Sequence, residues 1–210
     1  MGIGNQVKQS DQAEAIAPAG ESRIKHQASR MGPVRLLILD GDDTLWRPID
    51  GICCSDRDAD DRIGWEHFQF RSDPTNPERI VREDGVCFDL TAGAREAIRA
   101  VTDAGGICAL ASFNHRGNLV RALAAWGLAD YFPTVVGHWH ARKGEMLAEI
   151  LAAEAAAGRP VAPHEALFVD DDPYGTYRGY AAEHGIDFVQ MGREIRDFYD
   201  LLPRLDARAA

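Results

Sequence analysis

The chain has 210 residues and a formal net charge of −10, with 45% hydrophobic and 27% charged side chains. This composition supports one full core and excludes a disordered or membrane-embedded chain. An acidic balance without clustered Lys and Arg argues against a nucleic-acid surface. No apolar stretch approaches the roughly 20 residues that span a bilayer, and the N-terminus lacks the charged start and apolar core of a secretion signal. A cytoplasmic protein without membrane contact is expected.

Residues 1–33 are polar, contain Ala, Gln and Ser, and show no sustained period, which predicts a mobile tail; Met31, directly before Gly-Pro, offers a second start for translation with the domain intact. A domain over 34–210 follows. Its first stretch, VRLLILDGDDTLW from Val34 to Trp46, is an apolar run of strand-forming residues that ends at Asp40, with Asp42 and Thr44 at alternate positions after it. In a parallel sheet, ligands bind at the carboxyl ends of the strands, so these polar groups read as a site rather than a turn and helix cap. Gly41 allows a tight backbone path between the aspartates.

Residues 47–89 are rich in Asp, Pro and Gly and hold Trp65, Phe68 and Phe70. A structureless loop of this length is improbable in a compact domain. The alternation of Trp65, His67 and Gln69 against Glu66, Phe68 and Phe70 suits a short hairpin over the mouth of the site, a small flap; a surface excursion with packed aromatics fits nearly as well. Cys53, Cys54, Cys87 and Cys108 show no CxxC spacing and read as reduced thiols, with a zinc site at Cys53 and Cys54 disfavoured by spacing.

From Thr91 the pattern becomes regular. Thr91 is placed to cap a helix through Arg95, Ala97, Ile98 and Val101 that Gly105 and Gly106 terminate. The strand Ile107 to Ala111 delivers Ser112, a helix runs from about Asn118 to Trp126, and Thr134 to Val136 is a short strand. A helix from about Lys143 to Ala157 precedes the strand Ala166 to Val169, which ends in Asp170, Asp171 and Asp172. One more helix, the strand Ile186 to Gln190, and a terminal helix carrying Ile195, Phe198, Leu201 and Leu202 complete the chain. Strands alternating with helices predict an α/β fold: a three-layer, Rossmann-like parallel sheet with helices on both faces, a small flap after the first strand and no large cap domain.

Asp40 with Asp42, Ser112, and Asp170 with Asp171 fall at strand tips, and Lys143 opens the helix between the last two. This ordered set resembles the haloacid dehalogenase (HAD) superfamily of phosphohydrolases. Its first motif, DxDxT after a strand, is matched by DGDDT at Asp40 to Thr44; its Ser or Thr at a strand end by Ser112 in LASFN; its Lys near a helix start by Lys143; its acidic pair after a strand by Asp170 and Asp171 in LFVDDDP. The match spans about residues 34–192. The TLW after the first motif, SFN and DDDP look closest to two capless branches, the magnesium-dependent phosphatases and the glyceryl-loading domains of polyketide assembly lines. Gly41, where these branches commonly carry a bulky apolar residue, departs from the pattern.

The resemblance implies a magnesium-dependent phosphatase acting on a phosphate monoester through an aspartyl-phosphate. Asp40 would be the nucleophile and Asp42 the acid and base, with Asp40, the backbone carbonyl of Asp42 and Asp171 on Mg2+ and with Asp170 and Thr44 supporting. Ser112 and Lys143 would bind the substrate phosphate, and Asn114 could touch substrate. Asp172 is an alternative ligand to Asp171, against its reading as a turn-starting residue before Pro173. His138 and His140 flank Trp139 without further ligands nearby and read as packing or substrate rim. A small phosphorylated metabolite or a phosphotyrosine side chain could reach an open site. Two alternatives stay open: a glyceryl-loading domain working with an acyl carrier protein through Cys53 or Cys54, and a non-catalytic phosphate-binding signalling module. In a response-regulator receiver the acidic pair comes at the first strand and the Lys after the later ones, opposite to the order here.

Overall fold

A computed structural model describes residues 33–49, 67–138 and 142–209. The expected mobile tail, up to residue 32, falls outside the described residues, as do Cys53, Cys54, Trp65, Glu66 and His140. In chain order the first elements are β1 (Leu36–Leu39), β2 (Trp46–Pro48), β3 (Phe70–Asp73), β4 (Asn76–Arg82), β5 (Cys87–Leu90) and α1 (Ala94–Asp103). Then come β6 (Ile107–Ser112), α2 (Arg116–Ala125), β7 (Thr134–Gly137), α3 (Lys143–Ala156), β8 (Ala166–Asp170), α4 (Tyr177–Glu183), β9 (Asp187–Gln190) and α5 (Leu202–Ala209).

The central sheet is parallel, in the order β7-β6-β1-β8-β9. Leu36, Leu37, Ile38 and Leu39 of β1 are all fully buried, as a strand covered on both faces requires. At about 1.5–3 kcal/mol per side chain, that burial contributes on the order of 6–12 kcal/mol at most, enough to hold a costly acidic tip. Side chains alternate between faces. Leu37, Leu39, Cys108 and Leu110 pack with Ala97 and Ile98 of α1, Leu119 and Leu123 of α2, and Leu205 of α5. On the other face, Leu36, Ile38, Ala109 and Ala111 pack with Met146, Leu147 and Ile150 of α3 and Ala181 of α4. The result is the three-layer, Rossmann-like α/β architecture expected from the alternating elements.

The stretch after β1 forms a second sheet, antiparallel, in the order β2-β5-β4-β3. The hairpin expected around residues 65–70 is displaced: Phe70 opens β3, and the hairpins of the described residues are β3-β4 and β4-β5. Alternation misled because Phe68 and Phe70 pack by contact rather than by strand period, Phe68 lying under the Arg82 guanidinium at 4.3 Å and Phe70 edge-on to Phe88.

Two further expectations are corrected. Thr91 does not cap α1; its Oγ1 donates to the Thr44 carbonyl at 2.6 Å, and Gly93, at φ 76°, takes the N-cap position. Gly93 is required there, since a Cβ would also meet the Tyr199 backbone nitrogen at 2.7 Å. The terminal helix begins at Leu202, while Ile195, Phe198 and Leu201 are buried in the turns before it. Those apolar residues face the core by turn geometry, which sequence spacing alone mimics.

Candidate active site

The neighbours of β1 in the sheet are β6 and β8, with Leu39 level with Leu110 on one side and Val169 on the other. One residue further, β1 and β8 reach Asp40 and Asp170, level with Ala111 of β6, and β6 ends one residue beyond that at Ser112. The chain runs from β1 out to β6 and β7 and then returns to the opposite side at β8. Such a reversal opens a crevice at the carboxyl edge, where α/β folds bind ligands.

Lys143, the first residue of α3, reaches into this crevice. Its Nζ donates to Asp40 Oδ1 and to the Ala111 carbonyl at 2.7 Å, and lies 2.9 Å from Asp170 Oδ2. Asp40, Asp170 and Lys143 are all buried, and the rings of Phe113, Tyr177 and Phe168 lie 5.2, 5.6 and 5.7 Å from the ammonium. Burial alone would push the Lys143 ammonium down; Asp40 and Asp170 outweigh it and hold the group charged, its pKa raised. Burial drives the Asp40 carboxyl well above its ordinary value, Lys143 opposing and Asp170 adding to the rise. Asp171, beside Asp170 and Asp43, is pushed up to about 7, chiefly by burial and then by those carboxylates.

Burial raises these carboxyls first, and the neighbouring carboxylates add to the rise where one ammonium serves several acids. Carboxylate oxygens of Asp40, Asp170 and Asp171 lie within 4.8 Å of one another. Among the described residues, the buried Asp170 Oδ2 makes an ion pair with Lys143 and has no further hydrogen-bond partner. An all-oxygen, multiply charged donor set is what a hard divalent cation takes.

Asp172 is not in this group. Its Oδ1 accepts the backbone N–H groups of Thr176 at 2.9 Å and Tyr177 at 3.1 Å where α4 begins, and its own N–H donates to Asp170 Oδ1 at 2.7 Å. It therefore shapes the loop, as a turn-starting Asp does, while Gln190 steadies the same loop by donating to the Asp171 carbonyl at 3.0 Å.

The half-buried Asp42 faces elsewhere. Its Oδ1 accepts the Trp46 indole N–H at 2.9 Å, and Asn114 hydrogen-bonds the same carboxylate. Burial raises the Asp42 pKa and these two donors restrain the rise. Asn114 is buried, its Oδ1 accepting the His115 N–H at 2.8 Å. Ser112 is buried beside Gly41: a Cβ built on that glycine would stand 3.0 Å from Ser112 Oγ. Thr44 is fully buried, and among the described residues its Oγ1 has no hydrogen-bond partner. His138, read as packing or substrate rim, bonds Glu149 on α3 at 2.7 Å.

Sequence reasoning missed Trp46, the ring enclosure of Lys143, and Gln190. Only Trp46 left a signal, the bulky residue after Thr44 and Leu45 that coincides with a glycine at 41. Gly41 does stand in a tight turn, its carbonyl accepting the Leu45 and Trp46 N–H groups, and the structure adds a second constraint, the Trp46 ring, whose Cζ2 would lie 2.6 Å from a Cβ at that position.

No protein-family model matches this sequence, and no curated protein matches it. Solved structures do. A HAD-superfamily hydrolase from Ehrlichia chaffeensis superposes with a TM-score of 0.58 at 18% identity, covering 85% of this chain and 98% of the other. CbbY from Rhodobacter sphaeroides, in complex with xylulose-(1,5)bisphosphate, superposes with a TM-score of 0.50 at 15% identity, covering 78% and 88%. The chain thus has the α/β fold of solved HAD-superfamily hydrolases.

Proposed function

We propose that the protein is a magnesium-dependent phosphatase that hydrolyses a phosphate monoester through a phosphorylated Asp40. The observation that supports this most is the meeting of Asp40, Asp170, Asp171 and Lys143, from separate elements, at the carboxyl edge of the sheet. Asp40, Asp171 and the Asp42 backbone carbonyl would hold the ion, with Asp170 beside them. When bound, magnesium offsets the charge of the crowded carboxylates and of the substrate phosphate.

In the reaction an Asp40 oxygen attacks phosphorus and the ester P–O bond breaks. Asp42 gives its proton to the departing oxygen. As a carboxylate it then takes a proton from the water that attacks the phosphoryl group, releasing inorganic phosphate and restoring Asp40. Lys143 and Ser112 face the phosphate oxygens and stabilise their charge. Thr44 and Asp170 keep the first motif and the lysine in register.

Among the described residues, the insertion between β1 and α1 forms a small sheet, which suits a small phosphorylated metabolite or a phosphotyrosine side chain as substrate, free in the cytoplasm. The test is phosphate release from a panel of monoesters, with magnesium and with chelator, by wild type and Asp40→Asn. Release that needs magnesium and falls at least about 10³-fold in the variant is expected. Equal release by both proteins would remove Asp40 as nucleophile.

A further inference from the structure

The turn after β1 folds back on itself, the Gly41 carbonyl accepting the N–H groups of Leu45 at 2.9 Å and Trp46 at 3.1 Å. That return lays the buried Trp46 ring across Gly41, so closely that a Cβ at 41 would collide with Cζ2 and Cη2 at 2.6 and 2.9 Å. The indole N–H, at the edge of this ring, donates to Asp42 Oδ1 at 2.9 Å. Behind it the ring stacks on Trp126, centroids 5.3 Å apart, and Trp126 is itself fixed by donating Nε1–H to the Glu78 carbonyl on β4 at 3.0 Å. Trp46 also begins β2, paired with Leu90 of β5.

We infer that Trp46 is a positioning residue that clamps the Asp42 carboxylate in its orientation for proton transfer, and that Gly41 is glycine because this clamp occupies the space above it. The inference rests on the phosphatase reading, in which Asp42 protonates the leaving oxygen. A half-buried aspartate without donors would sample several orientations; with Asn114 on the same carboxylate, an indole braced by a second indole and by the antiparallel sheet supplies the more rigid of its two restraints. Only the N–H is specific to this task. The rest of the ring fills the same space as a phenylalanine in large part.

The consequence is a dependence on leaving group. Proton donation matters for an alkoxide and hardly at all for a good leaving group. With magnesium, Trp46→Phe should lower kcat/KM for ethyl phosphate about 10- to 100-fold, because the carboxylate that develops on Asp42 as its proton leaves loses an N–H donor. For dinitrophenyl phosphate the loss should be at most about threefold. Gly41→Ala, which pushes the ring away without removing it, should give the same asymmetry. A second measurement does not depend on turnover: the Trp46 indole N–H resonance, identified by its absence in Trp46→Phe, should move when Asp42 becomes Ala.

Equal losses on both esters, or none, in an active enzyme that Asp42→Asn inactivates would overturn the clamp while leaving the phosphatase reading intact. An indole resonance unmoved by Asp42→Ala overturns it at any level of activity. A wild type inactive on both esters, or an Asp42→Asn protein as active as wild type, would instead remove the phosphatase reading and the positioning role with it.

Discussion

The two sheets are built on opposite terms. In the parallel sheet the strands are buried on both faces, and the polar residues that remain stand at the tips, held by the fold around them; Lys143 with Asp40 and Asp170 is the extreme case, three charged groups at most 9% exposed. In the antiparallel sheet Arg79 and Asp89, cross-strand partners about one third exposed, lie along the strands and near water, while Arg82 is the buried exception, paired with Asp84 and covered by the Phe68 and Phe88 rings. Charge in the first is expensive and therefore points to chemistry; charge in the second is inexpensive and mainly decorates the surface.

Matched substitutions would test that contrast most sharply. Lys143→Met leaves two buried carboxylates without their cation and should destabilise the metal-free protein by about 3–5 kcal/mol, with part of the loss restored by magnesium. Arg79→Ala should destabilise far less and leave turnover unchanged. Denaturant titrations of both variants, with and without magnesium, provide the comparison; equal losses would erase the distinction between the sheets.

A smaller effect follows from Asp171. Its folded pKa of about 7 stands above the unfolded value near 3.8, so between those values the folded state binds the extra proton. Stability of the metal-free protein therefore falls as pH rises through that window, the reverse of a salt-bridged aspartate. Saturating magnesium should flatten the dependence, because a bound cation favours the carboxylate. Thermal unfolding of metal-free wild type and Asp171→Asn at a series of pH values would show it, and a wild type that does not lose stability relative to Asp171→Asn from pH 4 to 7 would contradict the raised Asp171 carboxyl.

The same contrast explains what could be read from the sequence. The parallel sheet was legible because a strand buried on both faces writes itself as an apolar run, and its ending at Asp40, Ser112 or Asp170 is then conspicuous. Lys143 was found by its place at a helix start. The antiparallel sheet was not legible: β3 reads FRSD and β4 NPERIVR, without clean alternation, because much of their surface faces solvent. Trp46 was missed for a different reason. It begins β2 yet bonds Asp42, four residues back, so its role comes from a turn that no period encodes. Asp171 and Asp172 could not be told apart in the sequence; hydrogen bonds to Thr176 and Tyr177 separate them.

The most direct measurement is made on the covalent link itself. Wild-type protein mixed with a hydrolysed monoester and magnesium, quenched in acid and digested, should yield the peptide spanning Asp40 with one added phosphoryl group, absent from Asp40→Asn. Rapid phosphate release with no phosphorylated peptide at any quench time, or a phosphoryl group on another residue, would contradict the account.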